Sequence, residues 1–316
     1  MSVRLPPAIF LMGPTASGKT ALTVALARQL PIEVISVDSA LVYRDMDIGT
    51  AKPDAETLQH APHFLINLIS PLQAYSAAQF RTDALALMQQ ISERGNVPLL
   101  VGGTMLYFNA LQSGLNQLPQ ADPALRAKLD EQAAQIGWKA MHEMLMQHDP
   151  VTAKRLQATD TQRIQRALEV FYLTGQAMSA LHQQESKSSL PYRLLKLALV
   201  PADRSVLHQR IAIRFAQMLE MGLVDEVRQL LECYPTLTQD LPAMRCVGYR
   251  QTLQYLAGEF DQDELLNRGI YATRQLAKRQ LTWLRGMQDC VNLDCLAPDI
   301  EQQVVQHIRH FLSSSD

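Results

Sequence analysis

The stretch Gly13-Pro14-Thr15-Ala16-Ser17-Gly18-Lys19-Thr20 has the spacing G-x-x-x-x-G-K-T, and its residue types suit one task, the holding of phosphate. Glycines let consecutive backbone N–H groups curl around phosphate oxygens, and a helix N-terminus behind them adds positive potential. Lys19 offers a point charge to the terminal phosphate, and the Thr20 hydroxyl can hold Mg²⁺. Two further positions complete the candidate chemistry. Asp38 follows an apolar run and sits where a catalytic carboxylate would, although Asp-Ser is also a common helix-capping pair. Thr104 closes Gly102-Gly103-Thr104 after another such run, where it is placed either to act or to cap a helix.

The elements that must position these residues read as alternating strands and helices. Ala8–Met12 is a short buried strand ahead of the glycine loop, and Ala21–Ala27 reads as the helix behind it. Glu33–Val37 is a second buried strand, ending in Asp38-Ser39, and Ala40–Pro53 has neither helical nor strand period and reads as an ordered loop. A helix is predicted from about Ser76 to Arg94, with Ser76 as its cap and Gly95 as its stop. Val97–Val101 is a third strand. A P-loop nucleotidase usually carries an acid at the end of such a strand, to position Mg²⁺ or water, and here glycines and a threonine stand instead.

From about Pro119 the pattern turns helical and polar, with helix starts at Asp122-Pro123 and Asp160-Thr161. A Ser/Lys-rich loop, Glu185–Ser189, closes this section before another core strand, Leu194–Val200. The expected fold is α/β: a P-loop-type parallel sheet flanked by helices, with an inserted all-helical subdomain. The expected division is residues 1–118 and 191–316 for the core and 119–190 for the insertion. Asp203 caps a helix to about Met221 that carries Arg204, Arg210 and Arg214, and everything after it reads as helical. Residues 265–288 contain Arg268, Arg274, Lys278, Arg279 and Arg285 and no acid. On a helix, Arg274, Lys278, Thr282 and Arg285 share a face, with Tyr271 and Trp283 among the charges. A basic, acid-free helix with aromatics points to a polyanion.

Whole-chain totals add constraints rather than chemistry. A formal net charge of −2 favours no partner, so local patches decide. Cys233, Cys246, Cys290 and Cys295 form no metal-spaced set and read as thiols of a reducing compartment. No signal-like apolar region opens the chain, and no apolar run reaches the 18 residues of a membrane span, so a cytoplasmic protein is expected.

Taken together, the strings resemble the bacterial tRNA dimethylallyltransferases. The similar segments are Gly13–Thr20, Asp38-Ser39-Ala40-Leu41-Val42-Tyr43, Met46-Asp47-Ile48-Gly49-Thr50-Ala51-Lys52-Pro53 and Gly102-Gly103-Thr104-Met105-Leu106-Tyr107. They continue with Gln162-Arg163 and Arg166-Ala167-Leu168-Glu169, Arg245-Cys246-Val247-Gly248-Tyr249-Arg250 and Lys278-Arg279-Gln280-Leu281-Thr282-Trp283-Leu284-Arg285. The resemblance spans Gly13 to Arg285; the segment from Asp289 matches no pattern.

The resemblance implies transfer of a dimethylallyl group from dimethylallyl diphosphate to N6 of the adenosine 3′ of the anticodon. It also implies Mg²⁺ and a mobile helical insertion. Lys19, the loop amides and Arg214 would hold the diphosphate, Asp38 would be the general base, and Thr104 would bond near the reacting centre. Ser39, Ala40 and Leu41 would line the adenine pocket. The tRNA anticodon stem-loop would be gripped by Arg126, by Gln162–Arg166 and by the two basic segments, and a monomer is expected. Three alternatives stay open on the residues: a P-loop small-molecule kinase, an isopentenyltransferase acting on free adenine nucleotide, and an RNA-binding module with a nucleotide-sensing loop.

Overall fold

The computed structural model describes residues 5–114, 118–183 and 190–314. The chain runs β1 (Pro7–Met12), α1 (Lys19–Ala27), β2 (Ile32–Val37), α2 (Ala55–His60), β3 (His63–Phe64), α3 (Ala77–Glu93), β4 (Val97–Gly102) and α4 (Met105–Ser113). Next come α5 (Pro123–His148), α6 (Pro150–Ala153), α7 (Thr161–Thr174) and α8 (Met178–Gln183). It continues through β5 (Arg193–Val200), α9 (Arg204–Glu220), α10 (Leu223–Cys233) and a 3-10 turn at Pro242–Arg245. α11 (Tyr249–Leu256), α12 (Gln262–Arg285), β6 (Val291–Asp294) and α13 (Ile300–Ser313) complete it. The expected Glu185–Ser189 loop lies outside the described residues, apart from which two compact units form: Met1–Gln112 with Leu190–Asp316, and Ser113–Ser189.

The first unit is built on one sheet of order β3-β2-β4-β1-β5-β6, parallel throughout. Its central strands are unbroken apolar runs because both faces are covered, which is the pattern a parallel sheet requires. One face presents Phe10 and Leu100, which pack in one cluster with Phe80 and Met88 of α3, Phe108 of α4, Ile211 of α9 and Ala277 of α12. The other packs Ile9, Leu11, Leu99 and Leu197 against α1 and α13 through Leu26, Val304 and Ile308. Each such side chain, removed from water, contributes about 1.5–3 kcal/mol. α3 begins as its sequence predicts: Ser76 and Gln79 form a reciprocal capping box.

Register brings the site together. Met12 lies beside Gly102 on one side and Ala198 on the other, and Val37 also lies beside Gly102. The carboxyl ends of β1, β2 and β4 are therefore level, and the loops leaving them meet. A Cβ on Gly102 would stand 2.0 Å from the Val37 carbonyl oxygen, so only glycine lets β2 and β4 end this close.

Two strands depart from the sequence expectation. The tail is not wholly helical: Val291–Asp294 forms β6 beside β5, and α13 then covers the sheet. β3 is only two residues long, too short to leave a period. The basic helix also starts earlier than its acid-free stretch. Its first turn holds Asp263 and Glu264, and Glu264 pairs with Arg268 at 2.7 Å.

The second unit has its own core, in which Leu129, Met141, Leu145, Ile164 and Leu168 are buried. α5 is interrupted at Gly137, whose φ of 81° is left-handed and thus suited to glycine. Glu169 on α7 is fully buried and accepts from Arg126 Nε and Nη2 at 2.8 and 3.0 Å, from Arg166 Nη1 and from the Asp122 N–H. Burial alone would raise the Glu169 carboxyl, but the Arg126 and Arg166 hydrogen bonds outweigh it and hold the group below its usual range.

Candidate active site

A cleft of about 1290 Å³ opens at the carboxyl edge of the sheet, within the first unit. Its floor is the loop between β1 and α1. Gly18 there takes φ of 86°, a conformation that favours glycine, and α1 starts at Lys19 with its N-terminal amides toward the cleft. Lys19 Nζ donates to the Gly13 and Pro14 carbonyls at 2.9 and 2.7 Å and to Ser17 Oγ at 3.3 Å, so the lysine folds back over its own loop.

Three charged groups converge in this cleft: Lys19, Asp38 and Arg214, the last from α9. Burial pushes the Lys19 amine down to about 8, the nearby Arg214 guanidinium acts in the same direction, and Asp38 opposes both. Burial raises the Asp38 carboxyl above its ordinary value, against the pull of the Ala40 N–H at 2.8 Å, Lys19 and Arg214. Burial likewise lowers Arg214. The result is a carboxylate of increased basicity between two cations that lack their full hydration, which is what an anion-binding site with an internal base requires. Cys246, at the rim, is pushed up to about 12 by burial and by Asp38, which leaves it an inert thiol.

One consequence is measurable. Below about pH 8 Lys19 is already charged, so the affinity for inorganic diphosphate should be flat with respect to this group. Above that pH the bound anion favours the protonated amine, and binding must take up a proton. Calorimetry is expected to show proton uptake and an affinity that falls about tenfold per pH unit. Constant affinity up to about pH 9.5 would rule out an amine of lowered pKa in the anion site.

Thr104 joins two strand ends. Its Oγ1 accepts the Ser39 N–H at 3.0 Å, and its own N–H donates to the Val37 carbonyl at 3.2 Å. Ser39, Ala40 and Leu41 line the same cleft. The loop after them is pinned from two sides. From within, Lys52 Nζ donates to the Tyr43 carbonyl, to Asp47 Oδ1 and to Asn67 Oδ1 at 2.6–2.8 Å. From outside, Glu226 on α10 accepts the N–H groups of Asp47, Ile48 and Gly49 and the Tyr249 hydroxyl. Gly49 has to be glycine here, because a Cβ would meet the Tyr249 ring at 2.5 Å. Sequence reasoning missed Glu226: an acid in a helix first turn looks like an ordinary dipole partner.

Metal-binding capacity is limited and specific. Among the described residues no three His, Cys, Asp or Glu side chains cluster to cage an ion. Thr20 is exposed at the start of α1, and the cleft also contains Asp38. One hydroxyl and phosphate oxygens brought by a ligand suit Mg²⁺, which keeps several waters and rarely has an all-protein cage. The residues present therefore fit that ion.

The residues expected to meet RNA divide into exposed and buried sets. Arg245, Arg250, Lys278, Arg279, Thr282, Trp283 and Arg285 are exposed, and none of these cations has an ion pair among the described residues. Arg274 is half-buried, with its Nε free of partners. Leu281 and Leu284, by contrast, point into the core, so these two side chains pack rather than bind. Tyr249 is fully buried against Gly49 and bonded to Glu226, and Gly248 supplies a φ of 94° at the start of α11. Gln280 is buried as well: its Oε1 accepts the Thr15 N–H at 2.8 Å and its Nε2 donates to the Gly103 carbonyl at 3.0 Å.

In the second unit, described by itself, Gln162 and Arg163 are exposed at the start of α7. Ile164 is fully buried in that unit's core and corrects the expectation of a contact there. Arg126 and Arg166 are correspondingly anchored to Glu169, and Gln165 donates to Asp130 Oδ1 at 2.6 Å. All three serve the unit's own structure first.

The sequence profile described as IPP transferase matches residues 41–287. The chain belongs to the IPP transferase family. The match starts just past the phosphate loop and Asp38, whereas the similarity to full-length relatives spans both positions. A tRNA dimethylallyltransferase of Methylobacillus flagellatus is 62% identical, over 99% of this chain and 100% of that protein. One of Nitrosomonas eutropha is 58% identical, over 96% of each. Among solved structures, a full-length tRNA isopentenylpyrophosphate transferase from Bacillus halodurans matches with a TM-score of 0.69 at 35% identity, covering 97% of this chain and 98% of that one. A eukaryotic dimethylallyltransferase acting on tRNA matches with a TM-score of 0.81 at 26% identity, covering 98% of this chain and 80% of that one. These two solved structures share the fold found here. No helix among the described residues is long and apolar enough to cross a membrane.

Proposed function

We infer that the chain transfers a dimethylallyl group from dimethylallyl diphosphate to N6 of an adenosine in tRNA and releases diphosphate. The observation that carries this reading is 62% identity, end to end, to a protein named tRNA dimethylallyltransferase. The cleft supplies a chemistry to match. The allylic C–O bond breaks with its electron pair going to the diphosphate oxygen, a C–N bond forms from N6, and the N6 proton goes to Asp38. Negative charge grows on the diphosphate as that bond breaks. Lys19, the amides of the phosphate loop and Arg214 line the cleft where it grows, and donors placed there usually contribute most to such rates once Lys19 exchanges its bonds to the Gly13 and Pro14 carbonyls for the ligand's oxygens. When bound, Mg²⁺ held by Thr20 and the diphosphate oxygens would neutralise part of that charge.

The acceptor is read as the adenosine 3′ of the anticodon, as the family resemblance implies, and a loop base leaves its stack at less cost than a paired one. Arg245, Arg250, Lys278, Arg279 and Arg285 supply unpaired cations for its backbone, and Arg163 supplies another on the helical insertion. Trp283 offers a face on which a base can stack.

The deciding experiment supplies purified protein and Mg²⁺ with labelled dimethylallyl diphosphate and either a tRNA transcript or AMP. Label is expected on the adenosine of the RNA, with none on AMP. Efficient labelling of AMP would make this a free-nucleotide isopentenyltransferase, and brisk ATP turnover without prenyl transfer would make it a kinase.

A further inference from the structure

Gln280 occupies an unusual place for a residue in a basic helical segment. Its neighbours in sequence, Lys278, Arg279, Thr282 and Trp283, are exposed, and Arg279 and Trp283 line the cleft. Gln280 itself is 8% exposed and turns inward. Its amide bridges two backbones that no other described side chain is shown to join. Oε1 takes the N–H of Thr15, in the middle of the phosphate loop, and Nε2 reaches the carbonyl of Gly103, next to Thr104. Gly103 has to be glycine to admit it: a Cβ there would stand 2.3 Å from Nε2. Both polar ends of the side chain are satisfied by backbone, so the bridge is specific in orientation as well as in place.

The mechanical consequence follows from rigidity. α12 is 24 residues long, about 36 Å of continuous helix, and moves as a body. The phosphate loop is held to β4 by the Gly13 N–H on the Gly102 carbonyl, and the bonds from Lys19 Nζ and the Ser17 N–H stay within the loop. A shift of α12 along or about its axis must carry the Gln280 amide with it. The Thr15 N–H and the Gly103 carbonyl follow, because breaking the buried bond to Gly103 costs about 1–3 kcal/mol and the half-buried bond to Thr15 adds to it.

We propose that Gln280 is a positioning residue that couples the exposed face of α12 to the phosphate loop, so that RNA bound on α12 tightens the hold on diphosphate. The proposal rests on the functional reading above, since it takes RNA as the ligand of α12. Coupling of this kind is reciprocal: if RNA raises diphosphate affinity by some factor, diphosphate raises RNA affinity by the same factor. It also requires that the RNA distinguish two placements of α12, because a ligand shifts only an equilibrium whose states it binds unequally.

The test measures inorganic diphosphate affinity with and without a saturating anticodon stem-loop RNA, and RNA affinity with and without diphosphate. The readout is the ratio, which does not depend on how well either ligand binds alone. The full-length protein is expected to give a ratio of about 5–150, equal in both directions. In Gln280→Leu, of similar size but unable to bridge, the ratio should fall toward one. Gly103→Ala attacks the same bridge from the far side without altering α12, and should also reduce it. Thermal melts and diphosphate binding alone establish that each variant retains its cleft. Glutamine variants that merely weaken the fold would lower both affinities and leave the ratio intact, and that result would overturn the proposal. So would a ratio of one in the unaltered protein that binds both ligands. A protein that bound no RNA would instead overturn the functional reading, and this proposal with it.

Discussion

Asp38→Asn is expected to lower the single-turnover rate of prenyl transfer by about 10²–10⁴-fold, the range of a positioned general base. The substitution keeps the side-chain shape, and an asparagine Oδ1 can still accept the Ala40 N–H that holds Asp38 at 2.8 Å. Only the ability to accept the N6 proton is lost. Diphosphate affinity should hold or improve, because a negative charge leaves the neighbourhood of Lys19 and Arg214. The pH profile of the unaltered protein provides a second check. Asp38 must be ionised to act and burial raises its carboxyl, so activity should fall with acid through a pH above the 3.9 or so of a free aspartate. An Asp38→Asn protein that transferred at nearly the original single-turnover rate would leave Asp38 as the turn residue its Asp-Ser sequence also allows.

Gly269→Ala should destabilise the protein by at least about 1 kcal/mol, although alanine is the better helix former by a similar amount. Gly269 lies within α12 where it crosses α9, and a Cβ would stand 1.9 Å from Cζ of Phe215. That ring is 3% exposed and has little room to turn. Either the ring leaves its rotamer or the two helices part, and both outcomes disturb the site, since α9 carries Arg214 and α12 carries Gln280. Denaturant unfolding of Gly269→Ala, of Phe215→Leu and of the pair measures the effect. The alanine should cost clearly less once the ring is gone. A more stable Gly269→Ala protein would mean that the helices separate freely, contrary to the packing described.

The fold was legible where function and burial coincide. Strand, glycine turn and helix are contiguous around Gly13–Thr20, and Asp38 and Thr104 each end an apolar run, so a parallel sheet puts all three at one edge. What stayed hidden depended on distance along the chain. The Thr15–Gln280 bond spans 265 residues and the Glu226 bonds to the 47–49 amides span 177 to 179, and neither leaves a local pattern. Arg126 and Arg166 read as free cations because sequence shows their charge but not the burial of Glu169 between them. β6 was missed because four residues of mixed polarity, Val291–Asp294, match a strand only once β5 lies beside them.

The same two outer strands bear on how copies of the protein can meet. An open sheet ends in rows of unpaired N–H and C=O groups, which in other proteins recruit a neighbour's strand. Here the outermost ladders are β3, two residues, and β6, four residues, whereas β1, β2 and β4 each have six. Edges this short offer few backbone bonds to a second chain and little room to register it. Continuation of the sheet from one molecule to the next is therefore disfavoured, a protection against fibrous aggregation. A dimer in solution would draw on helical and loop surface rather than on the sheet edges.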